Sequence, residues 1–222
     1  MLHLTKILSD DDIAALRAIA ARAPWIDGRA TARGSAAEKK RNQQVDETTA
    51  DGRAIAERVM AALQRHPVFT AAAFPLRVSP PLMNRYAPGM EYGPHVDSSL
   101  MGRNDPLRTD LSGTLFLSEP GEYDGGELVI DASTGRQAIK LPAGDLFLYP
   151  STRIHFVAPV TRGARLASVF WLQSLVSDHE QRLMLFEMSQ ALGSLERAHG
   201  QSPEIVGLTA CYHRLVQMWV QT

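Results

Sequence analysis

The chain has 222 residues, a formal net charge of −1 and 45% hydrophobic residues, which is the composition of an ordinary globular protein. This length allows one sizeable domain with an appendage and does not require two full domains. The near-neutral charge, without a run of Lys or Arg, argues against nucleic acid or an anionic membrane as the main partner. Cys211 is the only cysteine, so neither a disulfide framework nor a thiolate zinc site is expected.

The N-terminus, MLHLTKILSDDD, has no basic segment followed by an apolar one, so we expect no secretory signal. No stretch of the sequence reaches the roughly 18 consecutive apolar residues of a membrane-spanning helix. Together with the single cysteine, these features predict a cytoplasmic protein in a reducing compartment.

The first region, residues 1–73, is predicted to be helical and to pack on the rest of the chain. Ser9 and Asp12 form a capping-box pattern ahead of apolar residues at helical spacing. A second helical series ends before Pro67. Between the two helices, residues 26–46 are polar and irregular, and ordered loops of this length are often functional.

In residues 74–176 the hydrophobic period shortens to that of β-strands, with Pro, Gly and Asp between short apolar segments. Short strands at this spacing predict a sandwich, a jelly roll or a barrel. Helical spacing returns in residues 177–222, where Ser177 and Ser202 mark the starts of two helices. The sequence therefore predicts an α+β fold, with N-terminal helices and a C-terminal helical hairpin that packs on the β core or on another subunit.

Two of the seven histidines, His95 and His155, lie in or beside predicted strands. His95 and Asp97 are two residues apart, so on one strand they would point to the same side. His155 lies in an otherwise apolar strand, where an unpaired polar group is costly. Two histidines and one carboxylate form the facial triad of non-haem Fe(II) enzymes. Zinc could use the same residues, and on spacing alone ordinary core or surface polar residues are the favoured alternative.

Arg165 follows His155 by ten residues, at the start of the next predicted strand. If the two strands are neighbours, its guanidinium projects into the same cavity and can bind a carboxylate bidentately. An acidic cosubstrate that chelates the metal at one end would place its other carboxylate there. Taken alone, an ion pair between Arg165 and an acidic residue such as Glu127 is the simpler interpretation.

Three segments, NRYAPGMEYGPHVD, GGEL and GDLFLYPSTRIHFVAPVTRGAR, resemble the Fe(II)/2-oxoglutarate-dependent dioxygenases in their order and wording. Within that group the chain is most similar to the PKHD-type hydroxylases of bacteria. These are relatives of prolyl 4-hydroxylases and include PiuC- and YbiX-like proteins linked to iron uptake. The early segment WIDGRATARGSAAEKKRNQQ and the C-terminal helices extend the resemblance over nearly the whole chain, although ATARGSA departs slightly from the family pattern.

The resemblance implies a double-stranded β-helix core of the jelly-roll or cupin type. It implies an enzyme that couples decarboxylation of 2-oxoglutarate, to succinate and CO₂, with hydroxylation of a substrate. It also implies the cofactors Fe(II), 2-oxoglutarate and O₂, with ascorbate as a further candidate. The residues that it assigns to Fe(II) are His95, Asp97 and His155, and those that it assigns to 2-oxoglutarate are Arg165, Tyr86 and Asn84.

The substrate stays open among a peptidyl residue, a free amino acid and a siderophore-like molecule. Residues 26–46 and 98–112 are the candidate substrate loops, because loops on a rigid scaffold often carry specificity. Trp171 falls on the Arg165 face of the last strand if alternation holds, so it either lines the cavity or belongs to the core. The apolar faces of the C-terminal helices would suit a homo-oligomer.

Two other functions stay open. A nucleobase-demethylating dioxygenase has the same motif order, but the near-neutral charge and the lack of a basic, aromatic-rich arm disfavour it. A catalytically silent jelly-roll protein that binds or senses a metal or a small acid would keep the fold without turnover.

Overall fold

The structure is a computed structural model that describes residues 1–32, 34–102, 104–132 and 135–221. Arg33 and Arg103, which belong to the two candidate substrate loops, lie outside the described residues. No helix in the described part of the chain is long and apolar enough to cross a membrane.

Helices occupy both ends of the described chain, and strands occupy its middle. The helices are α1 (Asp10–Arg22), α2 (Ser35–Glu38), α3 (Ala50–Arg65), α4 (Pro67–Ala73), α5 (His179–His199) and α6 (Pro203–Trp219). The strands up to the first histidine ligand candidate are β1 (Leu2–Leu4), β2 (Trp25–Asp27), β3 (Lys40–Arg41), β4 (Gln43–Val45), β5 (Pro75–Val78), β6 (Leu82–Tyr86) and β7 (Glu91–His95). The later strands are β8 (Leu100–Met101), β9 (Leu107–Arg108), β10 (Leu111–Phe116), β11 (Tyr123–Gly125), β12 (Leu128–Ala132), β13 (Gly135–Ile139), β14 (Leu146–Pro150), β15 (His155–Val157), β16 (Val160–Gly163) and β17 (Arg165–Ser174).

The helix starts follow local side-chain chemistry. The capping box predicted before α1 is present: Ser9 Oγ accepts a hydrogen bond from the backbone N–H of Asp12 at 3.2 Å, and the Asp12 carboxylate accepts one from Ser9. Ser202 caps α6 as predicted. The prediction that Ser177 caps α5 is wrong, because the carboxylate of Asp178 accepts the backbone N–H of Gln181 at 2.8 Å instead.

Two antiparallel sheets form the β region. The eight-stranded sheet has the order β1-β14-β10-β17-β6-β4-β2, with β5 also paired to β17. The five-stranded sheet has the order β13-β12-β15-β7-β3. Two small ribbons, β8–β9 and β11–β16, complete the strand pairs of the described residues. The predicted α+β composition is therefore confirmed.

The N-terminal region contributes strands as well as helices, which the prediction of a helical region missed. β1 pairs with β14, β2 and β4 extend the eight-stranded sheet, and β3 pairs with β7 in the five-stranded sheet. These strands are two or three residues long, too short for a period of two to be visible in the sequence.

The first two strands of the predicted β region, β5 and β6, are close in sequence but separate. Pro80 and Pro81 separate them, because proline lacks the backbone N–H that a continuous strand would donate.

The main hydrophobic core lies between the eight-stranded sheet and the N-terminal helices. Leu16, Ile55 and Phe69 from the helices belong to it, together with Leu115 and Phe170 from the sheet. The rings of Phe69 and Phe170 meet edge to face with their centroids 6.3 Å apart. Because side chains alternate along a strand, β17 sends Phe170 into this core while residues of its opposite face line a cavity.

The predicted C-terminal helical hairpin is confirmed by the contact between α5 and α6. α5 also contacts α4, so the hairpin packs on helices of the same chain. Leu185 and Ile205 are the buried apolar anchors of the two helices. Past the end of α6, the backbone N–H of Gln221 donates to the carbonyl of Leu175 at 2.7 Å.

Candidate active site

The two histidines singled out in the sequence are direct neighbours across an antiparallel strand pair. His95 is the last residue of β7, His155 is the first residue of β15, and the two are register partners. Their ring centroids are 4.2 Å apart. Asp97 lies two residues beyond the end of β7, so the expectation that it shares a strand with His95 is wrong. The chain leaves the sheet after His95 and still returns the carboxylate to the same side.

The three side chains converge on one point. One donor atom from each of His95, Asp97 and His155 can be chosen so that all lie within 4.8 Å of one another. The Nε2 atoms of His95 and His155 are 4.0 Å and 3.6 Å from the Asp97 oxygens. All three side chains are more than nine-tenths buried.

Hydrogen bonds fix which atoms of these side chains face the point of convergence. Nδ1 of His95 is 2.8 Å from the carbonyl oxygen of Gly93, and Nδ1 of His155 is 3.0 Å from that of Arg153. A carbonyl oxygen only accepts, so each Nδ1 carries a proton, and in the neutral imidazole the lone pair that binds a metal is then on Nε2. The Asp97 carboxylate accepts a hydrogen bond from Ser112 Oγ at 2.6 Å, and Ser112 is in turn 2.8 Å from Ser151 Oγ.

The local electrostatics also favour neutral imidazole. Burial, followed by the neighbouring His155, lowers the pKa of His95 to about 4. His95 is therefore neutral at pH 7, which is the form that binds a metal. The Tyr92 ring stacks on the His95 ring with their centroids 3.6 Å apart and limits its rotation.

Arg165 lies on the opposite sheet from the histidines. The sequence argument placed Arg165 in the same cavity on the condition that its strand and that of His155 are neighbours, but β17 and β15 belong to different sheets. The two side chains nevertheless line one cavity, of about 930 Å³, between the sheets.

The Arg165 guanidinium is 1% exposed and has no acidic partner in the described part of the chain. The alternative that it pairs with Glu127 is therefore wrong. Its Nε has no hydrogen-bond partner among the described residues. The rings of Tyr86 and Phe116, each 5.3 Å away, flank it. A buried cation without an anion is costly, so this position calls for a carboxylate from outside the chain.

Tyr86 and Asn84 lie on one face of β6, as the alternation predicts, and both line the cavity. Tyr86 is the register partner of Arg165. Burial raises the pKa of Tyr86 to about 12, so its hydroxyl stays protonated and can donate a hydrogen bond. Asn84 is buried, and its Oδ1 accepts a hydrogen bond from Asn42 at 3.4 Å.

Both candidate substrate loops contribute to the cavity wall. Thr31 and Lys40 come from the first, and Leu100 and Met101 from the second. Trp171 also lines the cavity, which decides between its two sequence interpretations.

Sequence reasoning missed two side chains around the metal-ligand candidates, Ser112 and Tyr92. Ser112 falls on a predicted strand as an ordinary hydroxyl, and nothing in one sequence indicates that β10 passes behind Asp97. Tyr92 stands three residues before His95, and a strand with regular alternation would put it on the other face. A register irregularity between β15 and β7 brings Tyr92 beside His95.

The residues present fit a ferrous ion and 2-oxoglutarate. Two imidazole nitrogens and one carboxylate oxygen form the donor set of a facial triad with open positions. The unpaired Arg165 guanidinium in the same cavity fits the second carboxylate of a dicarboxylate.

Comparison with known proteins agrees with this chemistry. Residues 81–173 match the family model of the 2OG-Fe(II) oxygenase superfamily, and residues 179–221 match that of the PKHD-type hydroxylase C-terminal domain. A PKHD-type hydroxylase of Janthinobacterium sp. (strain Marseille) is 47% identical, over 99% of this chain and 98% of that protein. This chain belongs to the PKHD-type hydroxylases. The PKHD-type hydroxylase YbiX of Escherichia fergusonii is also 47% identical, over 99% of this chain and 98% of that protein.

Solved structures show the same fold. A prolyl-4-hydroxylase of Pseudomonas putida superposes with a TM-score of 0.52 at 24% identity, over 78% of this chain and 91% of its own. A viral collagen prolyl hydroxylase from Paramecium bursaria Chlorella virus-1, in complex with 2-oxoglutarate, superposes with a TM-score of 0.54 at 16% identity, over 78% and 95%. This PKHD-type hydroxylase is thus a dioxygenase that uses Fe(II), 2-oxoglutarate and O₂.

Proposed function

We propose that His95, Asp97 and His155 hold the Fe(II) ion, through the two Nε2 atoms and one Asp97 oxygen. The observation that carries this proposal is the convergence of these three donors, with both Nδ1 atoms already committed to backbone carbonyls. A metal held by only these three side chains would have further positions open to 2-oxoglutarate and O₂. We assign the two facing sheets to a double-stranded β-helix. The five-stranded sheet carries His95 and His155, and the eight-stranded sheet packs on the N-terminal helices.

In the same proposal, Arg165 binds the distal carboxylate of 2-oxoglutarate and Tyr86 donates its hydroxyl to the cosubstrate. Arg165 is buried, cationic and without an acidic partner in the described chain, and Tyr86 lies directly opposite it on the adjacent strand. Asn84 shares that strand face, and its bond to Asn42 holds it at the cavity wall, where we assign it a cosubstrate contact.

When bound, Fe(II) with 2-oxoglutarate supplies the oxidising chemistry that hydroxylates a substrate while succinate and CO₂ are released. The protein orients the cosubstrate between Arg165 and the metal ligands, and it limits the access of water to the reacting atoms. The pKa of Tyr86, raised by burial, keeps a proton on its hydroxyl, so a hydrogen bond to the cosubstrate is available across the physiological pH range.

The proposal describes the primary substrate only by the size of the cavity and by the type of reaction. The cavity, of about 930 Å³, is at the upper end of the range for small-molecule sites, so it accommodates a substrate beside a small dicarboxylate. The relatives' PKHD-type hydroxylase names support hydroxylation. A siderophore-like molecule, and with it a link to iron uptake, stays a hypothesis. Metabolite profiles of a deletion strain and its parent, under low and high iron, would test it.

The residue roles are tested by anaerobic addition of Fe(II) and 2-oxoglutarate to the purified protein. We expect a weak visible charge-transfer absorption, and then succinate formation when O₂ is admitted. His155→Ala should lose both, whereas His199→Ala, at the exposed end of α5, should keep both. Wild-type succinate formation by the His155 variant would contradict the metal assignment. Absorption without any succinate from the wild type would favour the silent binding protein.

A further inference from the structure

Lys40 is a buried lysine in the cavity wall beside the metal-ligand candidates. It is 6% exposed, although lysine is almost never fully buried unless it is paired. No ion pair of the described residues includes Lys40. The Lys40 ammonium therefore has no ion-pair partner in the described chain, although Asp97 and Asp27 are close enough to favour its charged form.

The partners of the Lys40 ammonium are neutral. Nζ donates to Thr31 Oγ1 at 2.9 Å. With the Gln44 amide turned so that its oxygen faces donors, that oxygen lies 3.3 Å from Nζ. An ammonium has three N–H donors. These two contacts orient the group and leave the third N–H available to a ligand. Neither contact neutralises the charge.

One aromatic ring lies close both to this ammonium and to a metal-ligand candidate. Lys40 is the register partner of Tyr92, and its Nζ is 5.4 Å from the centroid of the Tyr92 ring. The Tyr92 ring also stacks on the His95 ring, with the two ring centroids 3.6 Å apart. A group bound at Lys40 would therefore lie next to the reacting centre.

The charges of the loaded site leave Lys40 unmatched. The two positive charges of Fe(II) and the one of Arg165 are balanced by the two carboxylates of 2-oxoglutarate and by Asp97. Lys40 is then the buried charge in excess. The other charged side chains that line the cavity, Glu47, Arg53, Glu57 and Arg77, are exposed or partly exposed, so water screens them.

We propose that Lys40 binds a carboxylate of the primary substrate, so that this hydroxylase acts on an anionic molecule held next to the metal. This inference rests on the proposed function, since it takes both carboxylates of 2-oxoglutarate as bound elsewhere. The same carboxylate chemistry could come from the metal-proximal end of 2-oxoglutarate, and the experiment separates these two sources.

The test uses the full chain loaded with Mn(II), a paramagnetic ion that takes the place of Fe(II), and saturated with 2-oxoglutarate. The probes are benzoate and benzamide, which share a ring and differ in charge. Proton relaxation of each probe reports its binding near the metal. A charge-assisted hydrogen bond predicts about tenfold tighter binding of benzoate than of benzamide to the wild type.

Three variants make this result specific. Lys40→Met keeps the length of the side chain and removes the charge, so the preference for benzoate should disappear. Lys40→Arg should retain most of it. Lys39→Met is the matched control, because Lys39 is the adjacent exposed lysine, whose Nζ donates to the carbonyl of Pro94 at 3.1 Å; it should behave like the wild type.

Equal binding of the two probes by the wild type would overturn the inference, as would a benzoate preference that survives in Lys40→Met. A separate titration of 2-oxoglutarate covers the other source of the carboxylate. If Lys40→Met weakens 2-oxoglutarate binding as much as it weakens benzoate binding, Lys40 belongs to the cosubstrate and the inference is overturned. A wild-type protein that fails to bind Mn(II) and 2-oxoglutarate together would instead overturn the proposed function.

Discussion

The two sheets that face each other across the cavity prepare their functional groups in opposite ways. His95 and His155 on the five-stranded sheet, and Asp97 in the loop after β7, each have a hydrogen-bond partner from the protein. On the eight-stranded sheet, Arg165 is buried with an unpartnered Nε and no acidic neighbour in the described chain.

This difference separates groups that already have their protein partners from a group that needs a bound ligand. The three metal-ligand candidates are oriented without a metal, because carbonyl oxygens and Ser112 hold the atoms that would not bind it. The guanidinium of Arg165 has no counterion in the described chain, and in our proposal the cosubstrate supplies one. Metal binding should therefore depend on geometry, and cosubstrate binding on relieving an unmatched charge.

The largest effect is expected from Asp97→Asn, which changes one of the three metal-ligand candidates. An amide replaces the only carboxylate among the three ligand candidates, so both metal affinity and turnover should fall by more than about a hundredfold, beyond the loss typical of an outer-shell partner. Mn(II) binding followed by electron paramagnetic resonance, together with succinate formation, measures the two losses. Asp131→Asn, on β12 and paired with Arg136 at the surface, is the matched control. Retained Mn(II) affinity in Asp97→Asn would place the metal elsewhere.

Arg165→Met removes the positive charge that we assign to 2-oxoglutarate binding. We expect the KM for 2-oxoglutarate to rise about 100-fold, as for other truncations of buried, hydrogen-bonded charge pairs, with a smaller change in kcat. Without cosubstrate, the variant should melt no lower than the wild type, because an apolar chain replaces an unpaired buried cation. Thermal melts with and without 2-oxoglutarate test the contrast, since a ligand stabilises only the protein that binds it.

Arg162→Met is the control for this variant, since Arg162 is exposed and pairs with Asp124. It should leave the KM for 2-oxoglutarate unchanged. An Arg165 variant that melts well below the wild type in the absence of cosubstrate would show that the guanidinium has a structural partner after all.

The sequence predicts the two ends of the site unequally. His95, Asp97 and His155 could be proposed as a group because the residue types themselves indicate a metal, although their arrangement across β7, β15 and a loop could not be read from alternation. The convergence of Arg165 on the same cavity is right, but it arises from sheets that face each other and not from neighbouring strands. A contact between sheets has no signal in the period of either strand.

The short strands and the supporting hydrogen bonds were beyond sequence reasoning for a similar reason. β3 and β4 are two and three residues long, so their place in the sheets depends on partners far along the chain. The role of Ser112 depends on its hydrogen bond to Asp97, which lies fifteen residues earlier in the chain. The long helices and β17 extend over many residues, so their periods are visible in the sequence. Self-association through the C-terminal helices and a cytoplasmic location stay predictions.

Ser112→Ala sharpens the contrast at the metal end without removing a ligand. The variant loses the hydrogen bond of 2.6 Å to the Asp97 carboxylate, so that carboxylate is less well oriented. We expect metal affinity to fall by about 10- to 100-fold, with the 2-oxoglutarate KM at saturating metal nearly unchanged. Equilibrium titration with Mn(II) measures the first quantity, and Ser189→Ala on α5 is the control. Equal losses in metal and cosubstrate binding would mean that the two ends are not prepared separately.

Tyr86→Phe should have the smallest effect, because it leaves the charge of Arg165 and all three metal-ligand candidates in place. The variant loses one hydroxyl that stays protonated, since burial raises the pKa of Tyr86 to about 12. Loss of one hydrogen bond to a charged partner predicts about a tenfold rise in the KM for 2-oxoglutarate. Mn(II) affinity measured without cosubstrate should not change, and Tyr212→Phe on α6 should change neither quantity. A drop in Mn(II) affinity for Tyr86→Phe would contradict the assignment of Tyr86 to the cosubstrate, which rests on its place as the register partner of Arg165.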